Sequence, residues 1–217
     1  MILSLNEVES LASKAARGAG RPWGIAEEAG KATRWLCAAG LPGGEALAVL
    51  LGRTDGIAHT TLSPVGTDTA RWRTARGGPL CPLFTGAAIC DLAGGIGAGR
   101  ALVLGPIFLP LMLLPYVVMA ADAAQTALSI SWQGARLSRS PGGSVLDAAT
   151  AALGLPEVSE VRIACGTIHG VPLHRGWRAG ITAGAFDILG AFAHRTYAPD
   201  NAASRLAGAG AGLSDND

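Results

Sequence analysis

Residues 101–121 read ALVLGPIFLPLMLLPYVVMAA, and how this stretch is taken decides the fold. It carries no charge and is long enough to cross a bilayer as a helix. Gly105, Pro106, Pro110 and Pro115 interrupt it. Each interior proline removes a helix hydrogen bond and costs about 3 kcal/mol. Lipid offers no water to the carbonyls that prolines leave unpaired. Arg100 precedes the run and Asp122 follows it, with no basic cluster or aromatic belt at either flank. The stretch is therefore expected to be core: a strand over Ala101–Leu104, a turn at Gly105-Pro106, then a helix starting near Pro110 or Pro115. Proline suits a first helical turn. No membrane is expected as a partner.

Working outward toward the N-terminus, Gly94–Gly99 reads as a loop into that strand and Phe84–Leu92 as a helix rich in small residues. Residues 52–78 are polar and read mostly as loop, with a strand at Ala70–Arg73. Ser4-Leu-Asn-Glu7 is a capping box, and Val8, Leu11, Ala12 and Ala15 then share one face, predicting a helix over 5–18. Pro22 opens a second helix that Gly40 stops, and Glu45–Leu51 is a short third. Toward the C-terminus, Leu128–Trp132 alternates as a half-buried strand and turns at Gln133-Gly134 into Ala135–Ser138. Ser144-Val-Leu-Asp147 starts a predicted helix to Leu153. Val158–Cys165 is a strand, and Gly176–Tyr197 a long helix. The expected fold is α+β, one compact domain over 1–217. A helical lobe (1–51) precedes an α+β body (52–217), which has a small mixed sheet, packed helices and a Gly-rich C-terminal segment.

The chain has 217 residues, 49% hydrophobic and 15% charged. Charged residues usually make up about 25%, so disordered and coiled-coil classes are excluded. The formal net charge is +1, too little to recruit nucleic acid through a global field. The basic residues are fifteen arginines and two lysines. That bias fits a GC-rich genome, and also fits guanidinium forks for carboxylate or phosphate. Cys37, Cys81, Cys90 and Cys165 lie far apart without zinc-finger spacing, so no metal site is expected. The opening MILSLNEVES carries acids where a leader needs basic residues, and the expected compartment is the cytoplasm.

Four segments carry a resemblance: SLNEVESLASKAARGAG at 4–20, WGIAEEAGKATRWL at 23–36, LGPIFLPLMLLPYV at 104–117 and HRTYAPDNAASRLAGAGAGLSDND at 194–217. Together they resemble a bacterial family catalogued as domain of unknown function 3726. The resemblance implies a stand-alone bacterial protein and carries over no activity, cofactor or catalytic residue. The first forty residues are more weakly similar to the N-terminal helices of the second type of malate/lactate dehydrogenase. That family's Ser-His-Gly signature is absent here, so hydride chemistry is not transferred.

Two constellations stand out. In the terminal run Arg205-Leu-Ala-Gly208-Ala-Gly210-Ala-Gly212-Leu-Ser-Asp215, the three glycines at a two-residue period can offer successive amides to an anion. Arg205 could add a bidentate contact, and Asp215 and Asp217 could act as a base or bind a divalent cation through their oxygens. The plain alternative is a frayed end. The second is the strand end Cys165 with His169 and His174. Cys165 and His169 could pair as nucleophile and base if the loop folds back. His169 and His174 could instead share a metal, though five residues apart on a loop is not a standard ligand spacing. Otherwise Cys165 is a buried core thiol, followed by surface histidines. Three further stretches favour plain structural readings: Pro79-Leu-Cys81-Pro82 as turn chemistry, Glu27 and Glu28 as dipole partners of their helix, and Arg71-Trp72-Arg73 with Arg76. The function expected is a small-molecule enzyme acting on a carboxylate-bearing metabolite, with an anion site near the C-terminal run. The alternative is a non-catalytic binding or accessory subunit of a neighbouring enzyme. The expected partner is a small anionic metabolite, with homo-oligomerisation also open, and the sequence names no cofactor.

Overall fold

The structure, a computed structural model, describes residues 1–197. A short strand, β1 (Ile2–Ser4), runs straight into helix α1 (Leu5–Gly18) through the expected capping box. Glu7 N–H donates to Ser4 Oγ, and Ser4 N–H donates to the Glu7 carboxylate at 2.7 Å. The charge-stabilised acceptor holds the Glu7 carboxyl below its usual range. Helices α2 (Trp23–Ala38) and α3 (Gly43–Thr54) follow, giving the helical lobe. Arg21 is buried in the turn between α1 and α2, where its Nη2 donates to Thr54 O at 2.9 Å and also to Thr54 Oγ1. A cation on the last carbonyl of α3 suits the negative end of that helix. After a one-turn helix, α4 (His59–Leu62), and strand β2 (Arg71–Trp72) come α5 (Pro82–Asp91) and α6 (Ala93–Gly97).

The 101–121 stretch is core. Between Leu102 and Ala121 only Met119 is exposed. It forms β3 (Leu102–Leu104), β4 (Ile107–Phe108), a 3-10 turn at Pro110–Leu113, and α7 (Leu114–Ala124) with Pro115 in its first turn. Two strands follow, β5 (Leu128–Trp132) and β6 (Ala135–Ser140).

Three expectations were wrong in detail. The Ser144–Leu153 helix is instead strand β7 (Gly143–Ala148), paired along its length with β6, and only α8 (Thr150–Leu153) is helical. Gly143 adopts φ +122°, which allows the tight reversal, and the Leu137–Leu146 pairing outweighs a four-residue capping signal. The Gly176–Tyr197 helix is also divided. After β8 (Glu157–Val158), β9 (Val161–Cys165) and β10 (Val171–Pro172), residues Arg178–Gly180 form β11, which pairs antiparallel with β1. The helix α9 (Ala183–His194) begins only at the Thr182 cap. Lastly, the expected loop at Gly94–Gly99 contains α6, which packs against α7.

The main sheet has the order β10-β7-β6-β5-β9-β3-β2, antiparallel except for β2 with β3. Helix α7 lies across β5 and β6, with α2 and α5 packed on it. One hydrophobic cluster runs from Val8 in α1, through α7 and the inward faces of β5, β6 and β9, to Phe192 in α9. The arrangement is compact and α+β, as the sequence led us to expect. No helix among the described residues is long and apolar enough to cross a membrane.

Candidate functional site

The ends of α2 and α7 meet the β6–β7 hairpin at a cleft of about 300 Å³. Helix α2 supplies Trp35 and its C-cap Ala39, and α7 supplies Val118, Met119 and Asp122. Arg139 comes from β6, Gly143 and Ser144 from β7, and Leu173 and Arg175 from the chain after β10. Arg139 stands on the same face of β6 as Ala135 and Leu137, the face that α7 covers. There its Nε donates to Asp122 Oδ1 at 2.8 Å. Among the described residues its two Nη groups have no hydrogen-bond partner, so the end-on fork of the guanidinium is left for something else. Asp122 also borders a second hollow of about 210 Å³, shared with Arg139 and extending to Gln125 and Ser140.

Arg175 reaches this cleft because the backbone on both sides of it is tied down. Leu173 N–H donates to Ser144 O at 2.9 Å, and Gly176 N–H donates to Ala38 O at 2.7 Å. The first bond anchors the segment to β7 and the second to the C-terminus of α2. No described carboxylate pairs with Arg175. Among the described residues, two guanidiniums and one carboxylate leave the cleft one positive charge in surplus. Trp35, Val118, Met119 and Leu173 form its apolar wall. The site therefore joins a fork-shaped cation to an apolar surface, which can hold an anion and bury part of an organic body.

Cys165 and His169 are not brought together. Cys165 ends β9 and is exposed, donating weakly to Ile96 O at 3.3 Å. The chain then crosses the ends of β5 and β6: Gly166 N–H donates to Ala127 O, and Ile168 N–H to Ser138 Oγ at 3.1 Å. Ile168 thus lies over β6, two strand spacings or about 10 Å from β9. His169 is exposed beside it. The expected burial of Cys165 fails: it is the last residue of β9, and its thiol lies at the end of α6 rather than beneath it. Arg205, Gly208, Gly210, Gly212 and Asp215 lie outside the described residues.

The lesser candidates have structural roles. Cys81 is buried at the start of α5, where burial pushes its thiol up. Glu28 pairs with Lys31 at 2.9 Å, one turn along α2. Trp72 is in the core, so the Arg71-Trp72-Arg73 stretch shows no aromatic to solvent. Among the described residues no cluster of three or more His, Cys, Asp or Glu could hold a metal ion.

The sequence reading missed Arg139, Arg175 and Trp35. One signal was present. Arg139 falls on the apolar side of an alternating strand, where a charge is costly unless it serves a partner. The meeting of Arg139 with Arg175, 36 residues later, had no sequence signature.

The model of a family described as "Protein of unknown function (DUF3726)" matches residues 3–78. Over those residues, which span α1 to β2, the chain resembles that family. The match includes the segments quoted at 4–20 and 23–36, and those at 104–117 and 194–217 fall outside it. No curated protein and no solved structure matches the chain.

Proposed function

We propose that the chain binds a small carboxylate-bearing metabolite in the cleft between α2, α7 and the β6–β7 hairpin. The observation that carries this reading is the Arg139 guanidinium, oriented by Asp122 through Nε with its Nη fork unpartnered among the described residues, in a cleft that Arg175 also lines. An oriented fork binds a planar carboxylate with little loss of side-chain freedom. Calorimetric titration with acetate, butanoate, succinate and phosphate tests it. At least one carboxylate should bind, and Arg139→Gln or Arg175→Gln should weaken it ten- to a hundredfold, the effect of losing a charge-assisted pair worth about 1.5–3 kcal/mol. The competing place for the anion is the terminal run with Arg205, the glycines 208, 210 and 212, and Asp215. Arg205→Lys keeps the charge and loses the fork, so a loss there with Arg139→Gln silent would move the site to that run. If neither substitution matters, or nothing binds, the reading fails.

A second reading, an accessory subunit of a neighbouring enzyme, is favoured by the β1–β11 ribbon. Trp177, next to β11, is 89% exposed, and Ile2 of β1 is 74% exposed. Exposed tryptophan is characteristic of contact surfaces. Co-elution with the enzyme encoded beside it, lost in Trp177→Ala, would support this reading. A mass that is a multiple of the chain's own, without that enzyme, would point to a homo-oligomer instead.

A further inference from the structure

We infer that the cleft selects monocarboxylates with an apolar tail over dicarboxylates of the same length. This rests on the carboxylate reading above and adds the class of ligand. Charge is the first argument. Arg139 and Arg175 stand against Asp122, so a single carboxylate neutralises the cleft and a second would be in excess. Helices α2 and α7 both bring their C-terminal ends to the cleft, and the negative end of each dipole disfavours more anionic charge.

The wall is the second argument. Trp35 and Leu173 pack against the core and are only partly covered, Val118 is nearly buried, and Met119 is the one exposed side chain of the 102–121 stretch. A second carboxylate set against this wall would lose water and meet at most a neutral donor, the Trp35 indole N–H or the Ser144 hydroxyl. A hydrocarbon tail would bury apolar area, and the unbranched thioether of Met119 adapts to its shape. At about 300 Å³ the cleft is at the small end of ligand sites, which favours a short tail.

The test is a calorimetric series of acetate, butanoate, hexanoate and octanoate, with succinate matched to butanoate in length. Into the wild-type protein, affinity should rise about three- to fourfold per methylene until the wall is covered. Succinate should bind more weakly than butanoate. Trp35→Ala should flatten the rise. Because Trp35 also supports the core, Met119→Ala is the second variant and should flatten it without loss of folding. Carboxylates that bind with no dependence on length, or succinate binding tighter than butanoate, would overturn this inference and leave the carboxylate reading standing. If no member binds, acetate included, both fall together.

Discussion

Cys165 is the one exposed cysteine of four. Burial pushes the thiols of Cys37 and Cys81 up, and that of Cys90 up to about 12. The thiolate is the nucleophile, so iodoacetamide at neutral pH is expected to alkylate Cys165 first. Peptide mass mapping over time checks this, and early labelling of Cys81 would contradict the burial described. A second residue-scale expectation concerns Tyr116, whose ring packs directly against Gly86. A Cβ at Gly86 would stand 2.3 Å from that ring, so Gly86→Ala should cost about 1–3 kcal/mol. The Tyr116 hydroxyl, in contrast, is buried without a partner among the described residues, as is the Thr85 hydroxyl. Tyr116→Phe removes an unsatisfied group and should leave stability unchanged or raise it by about 1 kcal/mol. Thermal unfolding of the two variants should therefore move in opposite directions, and a large loss in Tyr116→Phe would mean that the hydroxyl is bonded after all.

Beside the shared core, charged side chains tie elements that sit far apart in the chain, and one such tie shifts the titration of its carboxyl. Arg195, after α9, donates from Nη1 to both oxygens of Asp55, after α3, at 2.9 and 3.0 Å. That pairing holds the Asp55 carboxyl below its ordinary value of 3.8. The folded chain thus binds fewer protons here than the unfolded chain. The contribution is present above the unfolded value and is lost as pH falls through the folded one. Asp55→Asn should lower the melting temperature at neutral pH, and the gap to wild type should begin to narrow below about pH 4 and vanish once the folded carboxyl is protonated. A gap that does not narrow at all as pH falls from about 5 to about 2 would mean that Asp55 acts by packing rather than by charge. Local signals at this scale succeeded where they were complete within one element. The capping box and apolar stripe of α1 need only residues 4–15, and the prolines of 101–121 act on their own backbone. They failed where a distant strand competed. Ser144-Val-Leu-Asp147 can begin a helix alone, but β6 is adjacent through a tight turn and offers a full ladder.

At the scale of the whole molecule, the cluster running from Val8 to Phe192 joins the helical lobe to the sheet without a break. Thermal unfolding is therefore expected as one cooperative transition, with far-ultraviolet dichroism and tryptophan fluorescence coincident. Two separate transitions would assign the lobe at 1–51 and the remainder to independent units. The α+β class, the buried 101–121 stretch, the three N-terminal helices and the central hairpin were legible in the amino-acid order, because each follows from periodicity, caps or turn chemistry over a few neighbouring residues. The pairing of β1 with β11 joins residues about 175 positions apart, and no local pattern encodes such a contact. The candidate cleft is of the same kind. Trp35, Asp122, Arg139 and Arg175 come from four separate segments, and each alone reads as an ordinary surface or half-buried residue. Long-range packing puts them in one place: α7 lies on β6, and the 173–176 segment is tied between β7 and α2. Such contacts depend on packing between distant segments, which is why the cleft belongs to the folded chain and left only one trace in its sequence, the arginine at 139 on the apolar side of β6.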